Sequence, residues 1–177
     1  MTDAPTRDSR AVEADPFVSH VAALDPGAKA ALRRSLAFPP GTWPGAFPYV
    51  ERWVPRDSGR WERTVYYLIA GLQALSRSSS NHGDLGRATK RLQEKTESGS
   101  VEQRFLALLD ADEEQLPQRL RQLITLLSSH DIAPDWARLR RDLLRWNHQD
   151  RYVQQRWARS YYGASTEEPG SDQPDAA

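Results

Sequence analysis

The 177-residue sequence contains no cysteine, which excludes disulfides, cysteine nucleophiles and thiolate metal sites. It has no apolar run approaching the roughly 18 residues that a membrane-spanning helix requires. The first residues lack the basic and then apolar order of a secretory signal. From these absences we expect a soluble, cytoplasmic protein.

Motifs for catalysis or for cofactor binding are also missing. The four histidines are scattered without metal-ligand spacing, and the sequence has no phosphate loop, dinucleotide-binding turn or nucleophile elbow. The acidic group from Asp110 to Glu114 lies between two apolar helical segments, where acids favour the N-terminus of the next helix. We therefore expect no enzyme activity, no metal and no cofactor. A hydrolase with an unrecognised carboxylate site is the alternative that the missing motifs favour least.

The formal net charge of the chain is zero, but negative and positive charges predominate in different segments. Residues 1–15 carry a net charge of −2 and residues 163–177 a net charge of −4, which leaves +6 on residues 16–162. Both terminal segments are rich in Pro, Asp and Ser, so we expect disordered tails over 1–15 and 163–177. A basic body favours a polyanionic partner.

The hydrophobic periodicity is helical almost throughout and predicts an all-α fold. Asp15 and Asp25, each followed by proline, have the pattern of helix N-caps. The strongest apolar helix covers residues 60–76, although its β-branched and aromatic cluster TVYYLI also fits a buried strand. We predict two small packed helical bundles, over residues 16–96 and 97–162.

Residues 135–146 are predicted to form an amphipathic helix with one apolar face and one row of arginines. One face carries Trp136, Leu139, Leu143 and Trp146. Arg138, Arg141 and Arg145 lie together on the opposite face, while Arg140 lies nearer the apolar edge. An ordinary solvent-exposed face would explain a row of arginines on one helix. In other segments, however, basic residues also cluster on the side opposite the apolar positions.

Arginine outnumbers lysine by 21 to 3, and its guanidinium suits bidentate contacts with phosphate. Genomic base composition produces the same preference, so the clustering carries more weight than the ratio. Tyr67 and Tyr162, expected at the surface, either stack on bases or are ordinary surface aromatics. The candidate nucleic-acid contacts are Lys29, Arg33, Arg34, Arg60, Arg63, Arg87, Lys90, Arg91, Arg119, Arg121, Arg138, Arg141 and Arg145.

Seven segments follow one another over residues 17–162: ALRRSL, FPYVERW, WERTVYYLIAGLQAL, LGRATKRL, SVEQRFLALLDADEEQLPQRLRQLITLLSS, IAPDWARLRRDLLRW and VQQRWARSYY. Their order resembles the CasB family, the small subunit of the type I-E CRISPR surveillance complex Cascade. The sequence departs from the family pattern at Thr89, where an apolar residue is common, and in its Ser-rich loop 76–84.

The resemblance implies an all-helical, non-enzymatic protein that acts in antiviral defence. Family members occur as a pair beside the CasC backbone and near the CasA large subunit, where basic residues help hold the crRNA–target DNA duplex and the displaced strand. The residues that match are Arg33, Arg34, Arg87, Lys90, Arg91, Arg119, Arg121, Arg138 and Arg141. The alternative is a purely structural scaffold subunit, whose arginines contact acidic surfaces of partner proteins.

Overall fold

The computed structural model describes residues 14–163, and every regular element in that range is helical. The helices are α1 Pro16–Ala23, α2 Pro26–Ser35, α3 Phe47–Val50, α4 Arg60–Leu75, α5 Leu85–Thr96, α6 Gly99–Leu109, α7 Leu116–Ser129, α8 Trp136–Leu144 and α9 Tyr152–Tyr162. Two short 3₁₀ turns, Pro44–Ala46 and Glu51–Trp53, flank α3. The all-α prediction is confirmed, and the strand alternative for TVYYLI is wrong, because that cluster lies inside the 16-residue helix α4. Of the disordered tails predicted over residues 1–15 and 163–177, residues 1–13 and 164–177 lie outside the described residues.

Aspartate caps set the first residue of several helices. The Asp15 carboxylate accepts hydrogen bonds from the backbone N–H groups of Phe17 and Val18, and Asp25 accepts one from Ala28. Both predicted N-caps are therefore confirmed, and each is followed by a proline in the first turn. Asp15, the last residue of the predicted N-terminal tail, is itself buried.

Helix α4 lies at the centre of the core and packs against α1, α2, α7 and α8. Its residues from Val65 to Leu72 are all buried. Helix α5 packs against α9 and α6, so that Phe105 and Trp157 are buried in the same hydrophobic cluster as α4. This cluster takes residues from both predicted bundles, and the division near residue 96 stays a prediction.

Hydrogen bonds hold the Ser-rich loop 76–84 against residues 128–135. The hydroxyls of Ser78 and Ser80 donate to the Asp131 carbonyl at 3.1 and 3.2 Å. The His82 N–H donates to the Ala133 carbonyl at 3.0 Å, and the Gly83 carbonyl accepts from the Asp135 N–H at 2.8 Å. These bonds bring the start of α5 beside the start of α8.

No helix between residues 14 and 163 combines the length and the apolar character needed to cross a membrane.

Candidate nucleic-acid interface

Four of the predicted basic residues line one cleft of about 610 Å³. Arg87, Lys90 and Arg91 come from α5 and Arg138 from α8. Arg159 of α9 adds a fifth cation. The structure therefore brings together bases from three helices that are far apart in the sequence.

The buried carboxylate of Asp84 holds this cleft in shape. One oxygen caps α5 by accepting a hydrogen bond from the Arg87 N–H at 2.9 Å. The other oxygen accepts from the Ser160 hydroxyl of α9 at 2.7 Å and lies 3.3 Å from the Arg138 guanidinium of α8. The Asp84 side chain is only 3% exposed, and its two oxygens contact all three helices.

The cleft keeps an excess of positive charge. Its acidic residues are Asp84, which is paired with Arg138, and Glu94. Lys90 Nζ donates to the Gly163 carbonyl at 3.0 Å. Arg87 and Arg91 are exposed, and within residues 14–163 their side chains have no hydrogen bond or ion pair. These two guanidiniums are therefore available to an anion that enters the cleft.

Three other predicted residues, Arg60, Arg63 and Arg121, line a larger groove of about 1010 Å³. Its lining also includes Glu113 and Glu114, so its charge is mixed. The Arg121 guanidinium donates to the carbonyl of Leu36 at 2.8 Å, which ties α7 to the end of α2.

Arg63 is held by a local ion pair. Its guanidinium donates to Glu51 at 2.5 Å, and the Tyr67 hydroxyl donates to the other oxygen of the same carboxylate. The Arg63 hydrogen bond, and then that of Tyr67, hold the pKa of Glu51 below its ordinary value. The hydrogen bond that Arg63 donates to Glu51 raises the pKa of Arg63. Burial, and then the hydrogen bond that Tyr67 donates to Glu51, raise the pKa of Tyr67. This arginine is thus engaged in folding contacts.

The expectation that Tyr67 is exposed is wrong. Its side chain is only 2% exposed, because α4 turns it inward where its ring meets Phe47 edge to face. Tyr162 is 52% exposed and donates its hydroxyl to Glu102 at 2.8 Å. Partial burial and then the Glu102 carboxylate raise the pKa of Tyr162 to about 12.

The remaining predicted residues lie outside both cavities. Lys29 Nζ donates to the carbonyl of Ala22 at 2.8 Å, and the Arg33 guanidinium donates to that of Ala74 at 3.3 Å. Four are exposed without a side-chain hydrogen bond or ion pair to any other described residue: Arg34, Arg119, Arg141 and Arg145. Their contact with nucleic acid stays a prediction.

Arg140, which the helical wheel places at the apolar edge of α8, lies against the N-terminus of α1. Its Nε and Nη2 atoms are each 2.7 Å from Asp15 Oδ2, and its Nη1 is 3.3 Å from the Tyr66 hydroxyl. The side chains of Arg140 and Asp15 are 17% and 3% exposed. This arginine therefore serves the fold.

The acidic group 110–114 contributes to the start of α7. Asp112 Oδ1 accepts hydrogen bonds from the backbone N–H groups of Glu114 and Gln115 at 3.0 and 2.9 Å. Among the described residues, no three His, Asp or Glu side chains meet in an arrangement that could hold a metal ion.

Arg159 is the cation of the cleft that the sequence patterns did not identify. The spacing of buried Val153, Trp157 and Tyr161 on α9 turns Arg159 outward, so the same helical wheel used for α8 would have marked it as exposed. Its place in the cleft depends on how α9 packs against α5, and no local sequence pattern predicts that packing.

Comparison with known proteins gives matches over most of the chain. The family model described as CRISPR-associated protein Cse2 matches residues 28–162. A "CRISPR-associated protein Cse2" of Thermus thermophilus is 51% identical over 144 residues, which are 80% of this chain and 82% of the relative. The crystal structure of M. ruber CasB has a TM-score of 0.72 at 42% identity, and the match covers 82% of this chain and 90% of that one. A chain of a "CRISPR RNA-guided surveillance complex" has a TM-score of 0.70 at 25% identity, over 82% of this chain and 92% of that one.

Proposed function

Because the chain belongs to the CRISPR-associated Cse2 family, we propose that it is a non-catalytic subunit of a type I-E Cascade surveillance complex. Its basic surface contacts the backbones of the crRNA–target DNA duplex and of the displaced DNA strand. The likeness to a chain of an RNA-guided surveillance complex supports membership of such an assembly. In keeping with the family resemblance, we also propose that the assembly is cytoplasmic.

The observation that carries the nucleic-acid role is the basic cleft between α5, α8 and α9. Arg87 and Arg91 present guanidiniums there that have no side-chain partner among residues 14–163, and cations of this kind bind phosphates by releasing condensed counterions. Such contacts do not read bases. In a guided complex they need not, because pairing with the guide RNA supplies specificity and protein–backbone contacts favour the opened duplex.

We propose that the isolated subunit binds nucleic acid weakly and acts through its place in the assembly. Neighbouring subunits raise the effective concentration of a weak site. As the family resemblance implies, the proposed neighbours are a second copy of this chain, the CasC backbone and the CasA large subunit.

The test uses the assembled complex with the double variant Arg87→Gln/Arg91→Gln. Arg138 is avoided, because removing it would leave the buried Asp84 carboxylate unpaired. We expect the subunit to stay in the complex while target DNA affinity falls about tenfold, as expected for two exposed charge contacts of about 0.7 kcal/mol each.

The matched control is Arg56→Gln/Arg104→Gln, which removes the same charge. Both side chains are exposed, and neither lines the cleft or the groove. We expect this control to bind target DNA like the wild type. Equal losses in the two variants would contradict a role for the cleft.

The second candidate function is a structural scaffold that uses its arginines on partner proteins. The observation that favours it is the larger groove, which mixes Arg60 and Arg121 with Glu113 and apolar side chains such as Trp61 and Leu36. Under this alternative, the variant Arg60→Gln, which removes a cation from that groove, would be missing from the purified complex. Size-exclusion chromatography of the assembly separates that outcome from a loss of DNA affinity.

A further inference from the structure

The described part of the chain ends on the rim of the basic cleft. Gly163 follows α9 directly and lines the cleft, and its carbonyl accepts the 3.0 Å hydrogen bond from Lys90 Nζ. Whatever follows Gly163 in the sequence therefore starts beside Lys90, which is one turn of α5 from Arg87. Arg91, the next residue after Lys90, lines the same cleft.

The sequence that follows Gly163 is acidic. Residues 164–177 contain four carboxylates and no basic side chain: Glu167, Glu168, Asp172 and Asp175. Because four residues of extended chain span at most about 14 Å, Glu167 starts within that distance of Gly163. A run of carboxylates is thus tethered at the site that we assign to phosphates.

We propose that the acidic segment 164–177 binds the basic cleft of its own chain and competes there with nucleic-acid phosphates. The inference rests on the proposed role of the cleft as a phosphate site. Carboxylates suit Arg87 and Arg91 for the same reason that phosphates do, since both anions accept two parallel N–H bonds from one guanidinium. The tether supplies these carboxylates at roughly millimolar effective concentration.

The acidic residues at the other end of the chain are attached elsewhere. Residues 1–13 contain Asp3, Asp8 and Glu13 and join the fold at Asp15, whose side chain lies against Arg140. Neither Asp15 nor Arg140 lines the cleft. This segment provides a control for the general effect of negative charge.

The first test detects the contact without any nucleic acid. A water-soluble carbodiimide joins lysine amines to adjacent carboxylates, and Lys29, Lys90 and Lys95 are the three lysines of the sequence. In the monomer of the full chain we expect cross-links from Lys90 to Glu167 or Glu168, lost near 1 M salt, where charges are screened beyond about 3 Å. Lys90 and Glu94, one helical turn apart on the cleft wall, provide the internal positive control. Cross-linking of that pair without any Lys90–tail product would overturn the proposal, whether or not the cleft binds nucleic acid.

The second test measures competition with a fluorescent single-stranded DNA at low salt. The variant Glu167→Gln/Glu168→Gln/Asp172→Asn should bind about fivefold more tightly than the wild type, as expected when a competitor at about 1 mM occupies a site of about 0.25 mM affinity. The control Asp3→Asn/Asp8→Asn/Glu13→Gln changes the net charge equally and should give a smaller gain. In the Arg87→Gln/Arg91→Gln background the fivefold gain should disappear. Equal gains from the two acidic segments, or a gain that persists without the cleft arginines, would overturn the proposal.

Discussion

At the residue scale, the arginines differ in whether a carboxylate lies against the guanidinium. One group lies against buried carboxylates, in the pairs Arg138–Asp84, Arg140–Asp15 and Arg156–Asp142. Arg87 and Arg91 instead lack a side-chain partner within the described residues. The same side chain therefore supports the fold in one place and is available for binding in another.

Replacing Arg140 by methionine should destabilise the fold by about 3 kcal/mol, because it leaves the Asp15 carboxylate buried without its cation. Urea denaturation followed by circular dichroism measures the difference. Arg141→Met is the matched control, since the neighbouring side chain is exposed, and its effect should stay within about 0.5 kcal/mol. Equal effects of the two substitutions would show that the Arg140–Asp15 pair contributes nothing.

Glu51 gives the stability a pH dependence of defined sign. Arg63 and Tyr67 hold its folded pKa below the ordinary value of 4.5. The ionised form is thus favoured by folding, and the stabilisation is complete above pH 4.5 and is lost as the pH falls through the lower, folded pKa.

Glu51→Gln should therefore lower the free energy of unfolding at neutral pH by roughly 0.5–1 kcal/mol, a small effect because the Glu51 side chain is 48% exposed. The difference from the wild type should shrink below pH 4.5. Urea titrations between pH 3 and pH 7 measure it. A difference that grows toward acid pH would have the wrong sign for this ion pair.

Sequence periodicity predicts which arginines face outward but not which ones are paired. The helical wheel of α8 separates Arg138, Arg141 and Arg145 from the core face. It gives no sign that Arg138 lies against Asp84, because that partner is 54 residues away and reaches α8 only through the hydrogen-bonded loop 76–84. Tyr67 is mispredicted for a related reason: α4 is covered on several sides, so more of its circumference is buried than one stripe.

At the scale of whole elements, the cleft depends on the close approach of α5 and α9. Gly86 on α5 lies directly against α9, and a Cβ at this position would be 2.2 Å from the carbonyl oxygen of Trp157. Backbone at that distance cannot move aside as a flexible side chain would. The glycine therefore sets the spacing between the helices that carry Arg87 and Arg159.

Gly86→Ala should force α5 and α9 apart and destabilise the protein by about 3 kcal/mol. Thermal unfolding measures the loss. Gly99→Ala is the control, because a Cβ at the first residue of α6 would meet nothing within 4 Å. A Gly86→Ala protein as stable as the Gly99→Ala protein would contradict the packing of these two helices.

Helix positions follow largely from local signals, whereas their convergence does not. Asp15 and Asp25 mark the starts of α1 and α2, because an N-cap side chain bonds only to backbone N–H groups within the next three residues. Thr89, a departure from the family pattern, is accommodated locally too: it is fully buried and donates to the Leu85 carbonyl at 2.7 Å. The meeting of α5, α8 and α9 rests on tertiary packing, and the cleft could be anticipated only as separate basic faces.

At the scale of the whole molecule, a net charge of zero conceals an uneven distribution of charge. The folded part carries the excess of basic residues, whereas acidic residues outnumber basic ones in the two terminal segments. A neutral chain of this kind can still present a local field that attracts polyanions. The cleft is where several of the predicted bases and one missed base meet.

The most direct test of the cleft as a nucleic-acid backbone site is the salt dependence of single-stranded DNA binding. Plotted as log affinity against log salt concentration, the Arg87→Gln/Arg91→Gln variant should have a slope shallower than wild type by about 1.4, about 0.7 for each lost phosphate contact. The Arg56→Gln/Arg104→Gln control should keep the wild-type slope, and oligonucleotides of different sequence should behave alike. Identical slopes for the wild type and the cleft variant would contradict the account and leave these arginines to a protein partner.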